Sequence, residues 1–113
     1  MGLFSKKAPA VLTEFDRRVY GCNLCNENGT SRASYIARLK PGQDLFFKPA
    51  PTKDYPDTVG VFTKKGEQIG FLHYTLLNEL RGMYVNNQAS VTVASVDNSP
   101  QGLGVTMHII IYK

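Results

Sequence analysis

The chain has 113 residues, of which 42% are hydrophobic and 19% are charged. This composition is that of a folded domain of ordinary size, and it excludes an intrinsically disordered chain. Thirteen lysines and arginines against nine aspartates and glutamates give a net charge of +4, which is compatible with a polyanionic partner without requiring one.

Residues 1–13 contain two lysines and a proline without any regular spacing. We therefore expect a flexible basic leader, followed by a single domain over residues 14–113. Within that domain, residues 15–25 alternate between two faces as a strand does. Beyond this strand, an Asn-Glu-Asn-Gly turn leads to a short helix that ends near Leu39, before a Pro-Gly pair.

The central part of the sequence predicts three strands and one long loop. Residues 44–48 and 58–63 have the composition of strands. The segment between them contains three prolines, which remove backbone donors and keep it out of a sheet ladder. A Lys-Lys-Gly-Glu turn then joins the second strand to a third at residues 68–72.

The last part of the sequence predicts a second helix and two long strands. The helix begins near Thr75 and carries leucines at helical spacing, and the strands cover residues 89–96 and 103–112. About six strands and two short helices predict a mainly β (β+α) fold. These elements suit a small barrel or a strongly coiled sheet with the helices over its openings, and of the two we expect a small closed β-barrel of the OB or SH3-like type.

Cys22 and Cys25 have the spacing of a zinc or redox CxxC pair. Residues three apart in a strand point to opposite faces, so both sulfurs reach one metal only if the chain bends there. We interpret them as ordinary strand cysteines, with zinc or redox chemistry as the alternative. Hydrolase, phosphate-loop and dinucleotide motifs are missing from the sequence, so we expect a protein that is not an enzyme and has no metal or cofactor.

Six tyrosines and six phenylalanines exceed what the core of such a domain needs, and several stand beside Lys or Arg. Rings interleaved with cations are typical of sites for single-stranded nucleic acid, because every base offers a face for stacking and every link carries a phosphate. Small β domains also pack such rings in their cores. From composition alone, both interpretations stay open.

Several short motifs occur in an order that resembles the HIRAN domain family, in the form of its stand-alone bacterial members. The matching segments run from residue 16 to about residue 84 and include Val19-Tyr-Gly21, Asn26–Arg32, Leu39-Lys-Pro-Gly42, Asp57-Thr-Val-Gly-Val61 and Gly66-Glu-Gln-Ile-Gly-Phe-Leu72. The resemblance implies an OB-like barrel that binds DNA. In fork-remodelling helicases that carry this domain, it captures a single-stranded 3′ end.

The resemblance also implies a DNA site after the glycine of the first strand, in the proline-containing loop and around the second hairpin strand. Carried onto this sequence, the site residues are Asn23, Lys48, Lys53, Tyr55, Asp57, Phe71, His73 and Tyr74. After the first-strand glycine this chain has Cys-Asn-Leu-Cys where DNA-binding members favour Arg and Tyr, and in the loop the order of the tyrosine and the carboxylates is changed.

We therefore predict a non-catalytic module for single-stranded DNA or DNA 3′ ends, linked to DNA repair or replication. The alternative is a protein-interaction or accessory domain whose DNA site has decayed. Both hypotheses expect the proline-containing loop and the turn after Leu72 to meet over one mouth of the barrel. Neither a signal peptide nor an apolar run of membrane-spanning length is visible, so we expect a cytoplasmic protein without a membrane partner.

Overall fold

The structure is a computed structural model that describes residues 11–26, 28–84, 88–99 and 102–112. Its elements in chain order are β1 (Val11–Arg18), α1 (Arg32–Ile36), β2 (Leu45–Pro49), β3 (Val59–Thr63), β4 (Gln68–Phe71), α2 (Tyr74–Tyr84), β5 (Gln88–Ser99) and β6 (Gly102–Tyr112). The mainly β architecture with two short helices that the sequence predicts is confirmed. No helix in these ranges has both the length and the apolar character needed to cross a bilayer.

The six strands form two antiparallel sheets of three strands, in the orders β1-β6-β5 and β2-β3-β4. The predicted closed barrel is not formed by the described residues. Between the two sheets they make single bridges, Tyr20 with Phe71 and Asp44 with Thr92, instead of continuous ladders. One reason is that Gly21 has a φ of 73°, which turns the chain away from β4 directly after the Tyr20 bridge.

The first strand differs in both of its ends from the prediction. β1 begins at Val11, within the segment predicted as a leader, and residues 1–10 of that segment lie outside the described residues. Val11, the first described residue, pairs with Tyr112 at the far end of β6. β1 ends at Arg18, seven residues before the predicted end, since the next residues turn toward β4.

The core lies against one face of β6, where alternate side chains are fully buried. These residues are Val105, Met107, Ile109 and Ile111. β6 is the central strand of its sheet, so both of its edges are hydrogen-bonded. Leu76 and Leu80, one turn apart on α2, and Ile36 of α1 belong to the same buried cluster. Burial of this apolar surface is the dominant stabilising term of the fold.

On the outward face of the β1–β6 pair, His108 stands between two carboxylates. Its Nδ1 lies 2.6 Å from Asp16 Oδ1 and its Nε2 lies 3.0 Å from Glu14 Oε2. The hydrogen bond to Asp16, and after it the one to Glu14, raises the pKa of His108 above its ordinary value. The protonated ring donates to both carboxylates, whereas the neutral ring has one donor only.

We expect the protein to lose stability as the pH rises through the pKa of His108. Because this pKa is raised by folding, the stabilisation is complete below the unfolded-state value of about 6.5 and is lost once the pH exceeds the folded-state value. Urea unfolding at pH values on both sides of this window measures the decline. The same series on His108→Gln should lack it, and an equal decline in that variant would contradict the assignment.

Candidate functional site

A cleft of about 1170 Å³ is lined by residues from all three strands of the β2-β3-β4 sheet. Two stretches form much of its wall: residues 49–58, called here the proline loop, and residues 71–74 at the junction of β4 and α2. The turn before α1, α1 itself and the β3–β4 hairpin contribute the rest. The structure thus brings together the two stretches that the sequence analysis expects to meet.

The proline loop is held by hydrogen bonds within itself. The Thr52 N–H donates to the Tyr55 carbonyl at 3.0 Å, and the Tyr55 N–H donates to Thr52 Oγ1 at 3.0 Å. The Thr58 hydroxyl also donates to the Tyr55 carbonyl, at 2.9 Å. The Ala50 N–H closes the base of the loop by donating to the Thr58 carbonyl at 2.9 Å. This framework holds Tyr55 with 71% of its surface exposed.

Three rings follow one another from the cleft to the smaller pocket beside it, and we call Tyr20, His73 and Tyr74 the aromatic ridge. The ring centroids of Tyr20 and His73 are 4.7 Å apart, and those of His73 and Tyr74 are 4.4 Å apart. Tyr74 remains 69% exposed and Tyr20 47% exposed. The ridge therefore offers ring faces to a ligand while its members contact each other.

His73 is positioned by the start of α2. The Thr75 N–H donates to His73 Nδ1 at 3.3 Å, and Thr75 Oγ1 lies 2.9 Å from the same nitrogen. The residue thus serves as an acceptor for the first turn of the helix, which places its ring proton on Nε2. It lines the cleft and also a smaller pocket of about 270 Å³, whose walls include Arg17, Arg18 and Tyr20.

Phe71 and Arg32 line the cleft and pack against Gly21, and we call these two side chains the floor of the cleft. A Cβ at position 21 would collide with the Phe71 ring and lie 2.9 Å from Arg32 Nη1. Arg32 is only 8% exposed, and its Nε donates to Asn26 Oδ1 at 2.8 Å while its Nη1 donates to the Gly21 carbonyl at 2.9 Å. Burial lowers the pKa of Arg32 from its ordinary value. Asn26 is held in turn by the Gln68 carbonyl, to which its Nδ2 donates at 3.0 Å.

The charges around the cleft are mixed. Arg32 and Lys65 line it together with three carboxylates, Asp54, Asp57 and Glu67. Glu67 is engaged on its outer side, where Arg38 Nη2 lies 3.2 Å from its Oε2. The two carboxylates of the proline loop, Asp54 and Asp57, form no ion pair with an arginine in the described part of the chain. The two cations of the cleft come from α1 and from the β3–β4 hairpin.

Five of the predicted site residues line the cleft: Tyr55, Asp57, Phe71, His73 and Tyr74. The other three, Asn23, Lys48 and Lys53, are exposed and lie outside its lining. Lys48 is nevertheless close, because its Nζ lies 5.6 Å above the ring of Phe62, which does line the cleft.

The prediction did not include Tyr20, Arg32, Tyr35, Phe62 and Lys65 as site residues, although each lines one of the two pockets. Tyr20 and Arg32 stand inside the motifs that carry the family resemblance, yet neither belongs to the stretches to which that resemblance assigns DNA contacts. The other three come from α1 and the β3–β4 hairpin, and their approach to the proline loop depends on tertiary packing.

The two cysteines have different surroundings. Cys22 is buried and its Sγ donates to the Val19 carbonyl at 3.5 Å, while Cys25 is exposed and lines the cleft. Burial raises the pKa of the Cys22 thiol, which is the reverse of the shift that activates a redox CxxC. The described ranges contain no group of three or more His, Cys, Asp and Glu residues arranged to hold a metal ion.

Comparison with known proteins yields a likeness of fold. The chain matches the crystal structure of a protein from Lactobacillus plantarum, determined as a structural genomics target, with a TM-score of 0.60 and 17% sequence identity. The match covers 94% of this chain and 98% of the other. No family model and no curated protein matches the chain.

We expect Gly21→Ala to destabilise the protein by about 2–4 kcal/mol. A positive φ costs an alanine roughly 1 kcal/mol or more, and the collision with Phe71 adds an overpacking penalty. Gly29→Ala is the matched control, because Gly29 has a φ of 84° but nothing within 4 Å of its added Cβ. Urea unfolding of both variants separates the two contributions. Equal losses would show that the approach of Phe71 does not constrain position 21.

Proposed function

We propose that this protein is a non-catalytic binding module for single-stranded nucleic acid, with single-stranded DNA or a DNA 3′ end as its preferred ligand. The observation that carries the proposal is the convergence of aromatic rings from separate segments on one cleft. Tyr55, which is exposed, comes from the proline loop, and the half-buried Phe71 and the exposed Tyr74 come from the β4–α2 junction. Tyr20 lines the smaller pocket and contacts His73, which lines both pockets.

Stacking on such rings supplies affinity without sequence preference. Each base that stacks on an aromatic side chain contributes roughly 1–3 kcal/mol, because every base has a π-face. Tyr74 and Tyr55 are the most exposed of the large apolar side chains described. Both line the cleft, so a strand that enters it meets a ring on each wall.

Cations near these rings can contact the phosphates of the same strand. Lys65 lines the cleft on the hairpin side, and the Lys48 ammonium lies over the ring of Phe62, which also lines the cleft. Phosphate contacts of this kind make affinity fall as salt is added. Asp57, on the proline loop, is the acceptor that the HIRAN resemblance assigns to a terminal hydroxyl of the bound strand.

The HIRAN resemblance supports the same proposal and extends it. It implies an OB-like classification of the two bridged sheets and a role in DNA repair or replication. These features rest on the order of the motifs between residues 16 and 84.

A protein-interaction module is the second candidate, and the composition of the cleft favours it. Prolines 49, 51 and 56 line the cleft, and its three carboxylates outnumber its two cations. Such a surface suits an apolar or basic peptide better than a polyanion. This candidate requires that wild-type protein shows no saturable binding to oligonucleotides at low salt.

We expect Tyr74→Leu to weaken binding of a single-stranded oligonucleotide by about 10-fold to 100-fold, since one stacking contact is removed. Fluorescence anisotropy with a labelled strand, at two salt concentrations, measures the affinity and its salt dependence. Phe46→Leu is the matched control, because Phe46 is also exposed, at 40%, but does not line the cleft.

Three outcomes of this titration contradict the proposal. One is the absence of saturable binding at low salt, which supports the protein-interaction candidate instead. Another is an equal loss of affinity in Tyr74→Leu and Phe46→Leu, which would show that the oligonucleotide binds outside the cleft. For the preference for a 3′ end, equal affinity for strands with a free 3′ hydroxyl and with a 3′ phosphate is the contradicting result.

A further inference from the structure

Arg32 is a buried cation whose described partners are both neutral. Its guanidinium donates to the Asn26 side-chain oxygen and to the Gly21 carbonyl. Within the described ranges no carboxylate forms an ion pair with it. By contrast, the exposed arginines 17, 18 and 38 each pair with a carboxylate.

The position of Arg32 is costly for a charge. Removal of a cation from water carries a large free-energy penalty, which a counter-charge normally offsets. The same burial lowers the pKa of Arg32, but an arginine remains protonated at neutral pH. The folded protein therefore keeps a positive charge at the floor of the cleft without an internal anion described beside it.

Some donors of this guanidinium have no described partner. A guanidinium has five N–H donors, and the two hydrogen bonds described use two of them. No side-chain nitrogen or oxygen that is fully buried in the described ranges lacks a hydrogen-bond partner. Nη2 of Arg32 has no described partner and is therefore not fully enclosed, and Arg32 lines the cleft.

We infer that Arg32 is a phosphate-binding residue of the cleft and that its Nη2 donors take the oxygens of one phosphate of a bound single strand. This inference rests on the proposed function and names a contact within the same site. The Phe71 ring supports it, since ring and guanidinium both pack against Gly21 and both residues line the cleft. A phosphate on Arg32 and the base next to it on Phe71 occupy neighbouring places on one floor.

Arg32 is suited to phosphate by its geometry as well as by its charge. The planar fork of a guanidinium matches two phosphate oxygens at once, which the single ammonium group of a lysine does not. The hydrogen bonds to Asn26 and Gly21 hold the fork in place before the ligand arrives. A positioned donor loses less conformational entropy on binding than a mobile surface cation.

The first experiment observes Arg32 in the wild-type protein. Inorganic pyrophosphate is titrated at constant ionic strength while the side-chain Nε–Hε signals of arginine are followed by NMR, and the Arg32 signal is identified by its loss in Arg32→Lys. We expect a saturable shift of this signal, which sodium chloride at equal ionic strength does not produce. An Arg32 signal that does not respond to pyrophosphate overturns the inference.

The second experiment measures binding of a single-stranded oligonucleotide to variants. We expect Arg32→Gln to weaken binding by about 10-fold to 100-fold, in line with a charged hydrogen bond, and to reduce the slope of log affinity against log salt by about 0.7. Arg32→Lys should fall between it and wild type. Lys64→Gln is the matched control, because Lys64 is an exposed cation on the hairpin turn and does not line the cleft.

The two experiments separate the failure of this inference from that of the proposed function. A pyrophosphate response without oligonucleotide binding retains the phosphate site and contradicts the nucleic-acid function. Oligonucleotide binding that Arg32→Gln and Lys64→Gln change equally retains the function and overturns the role of Arg32. If Arg32→Gln fails to fold by circular dichroism, then Arg32→Lys and the wild-type NMR titration decide the question.

Discussion

The close crossing of residues 19–21 over β4 is the constraint on which the site depends. Tyr20 and Phe71 exchange two backbone hydrogen bonds there, of 3.0 and 2.8 Å. Neither Gly21 nor Gly70 has room for a Cβ: at position 70 it would collide with Val19 and the Tyr20 carbonyl, and at position 21 with Phe71. Two glycines thus let the strands approach closely enough for the cleft to have a floor.

That crossing joins the features that give the cleft its chemistry. It sets Phe71 beside Arg32, whose guanidinium holds the Gly21 carbonyl. It also places Tyr20 next to His73, so that the aromatic ridge runs from the cleft toward the smaller pocket. Stacking faces and a buried cation therefore meet at one point of the fold. The nucleic-acid function proposed above rests on this combination.

The first strand shows where a local pattern misleads. Alternation continues from Phe15 to Cys25 and predicts a single strand, but the structure ends β1 at Arg18. Alternation puts Val19 and Cys22 on opposite faces, yet both are buried, while Tyr20 and Leu24, which share the predicted face of Cys22, are exposed, because the chain turns at Gly21. Alternation also does not report hydrogen-bond partners, and here the chain leaves β6 and forms one bridge to β4, between Tyr20 and Phe71. Because that contact is a single bridge and not a continuous ladder, two sheets are found where a closed barrel was expected.

The sequence by itself determined the order of six strands and two helices, because turn residues, prolines and apolar alternation act over a few neighbouring positions. It also placed Tyr55, Phe71, His73 and Tyr74 among the candidate site residues, through motifs that are local in the chain. Only the tertiary structure decided that Arg32 is buried without a described carboxylate, and that Lys65 lines the cleft while Lys53 does not. Burial and charge pairing depend on segments distant in sequence, which no short pattern contains.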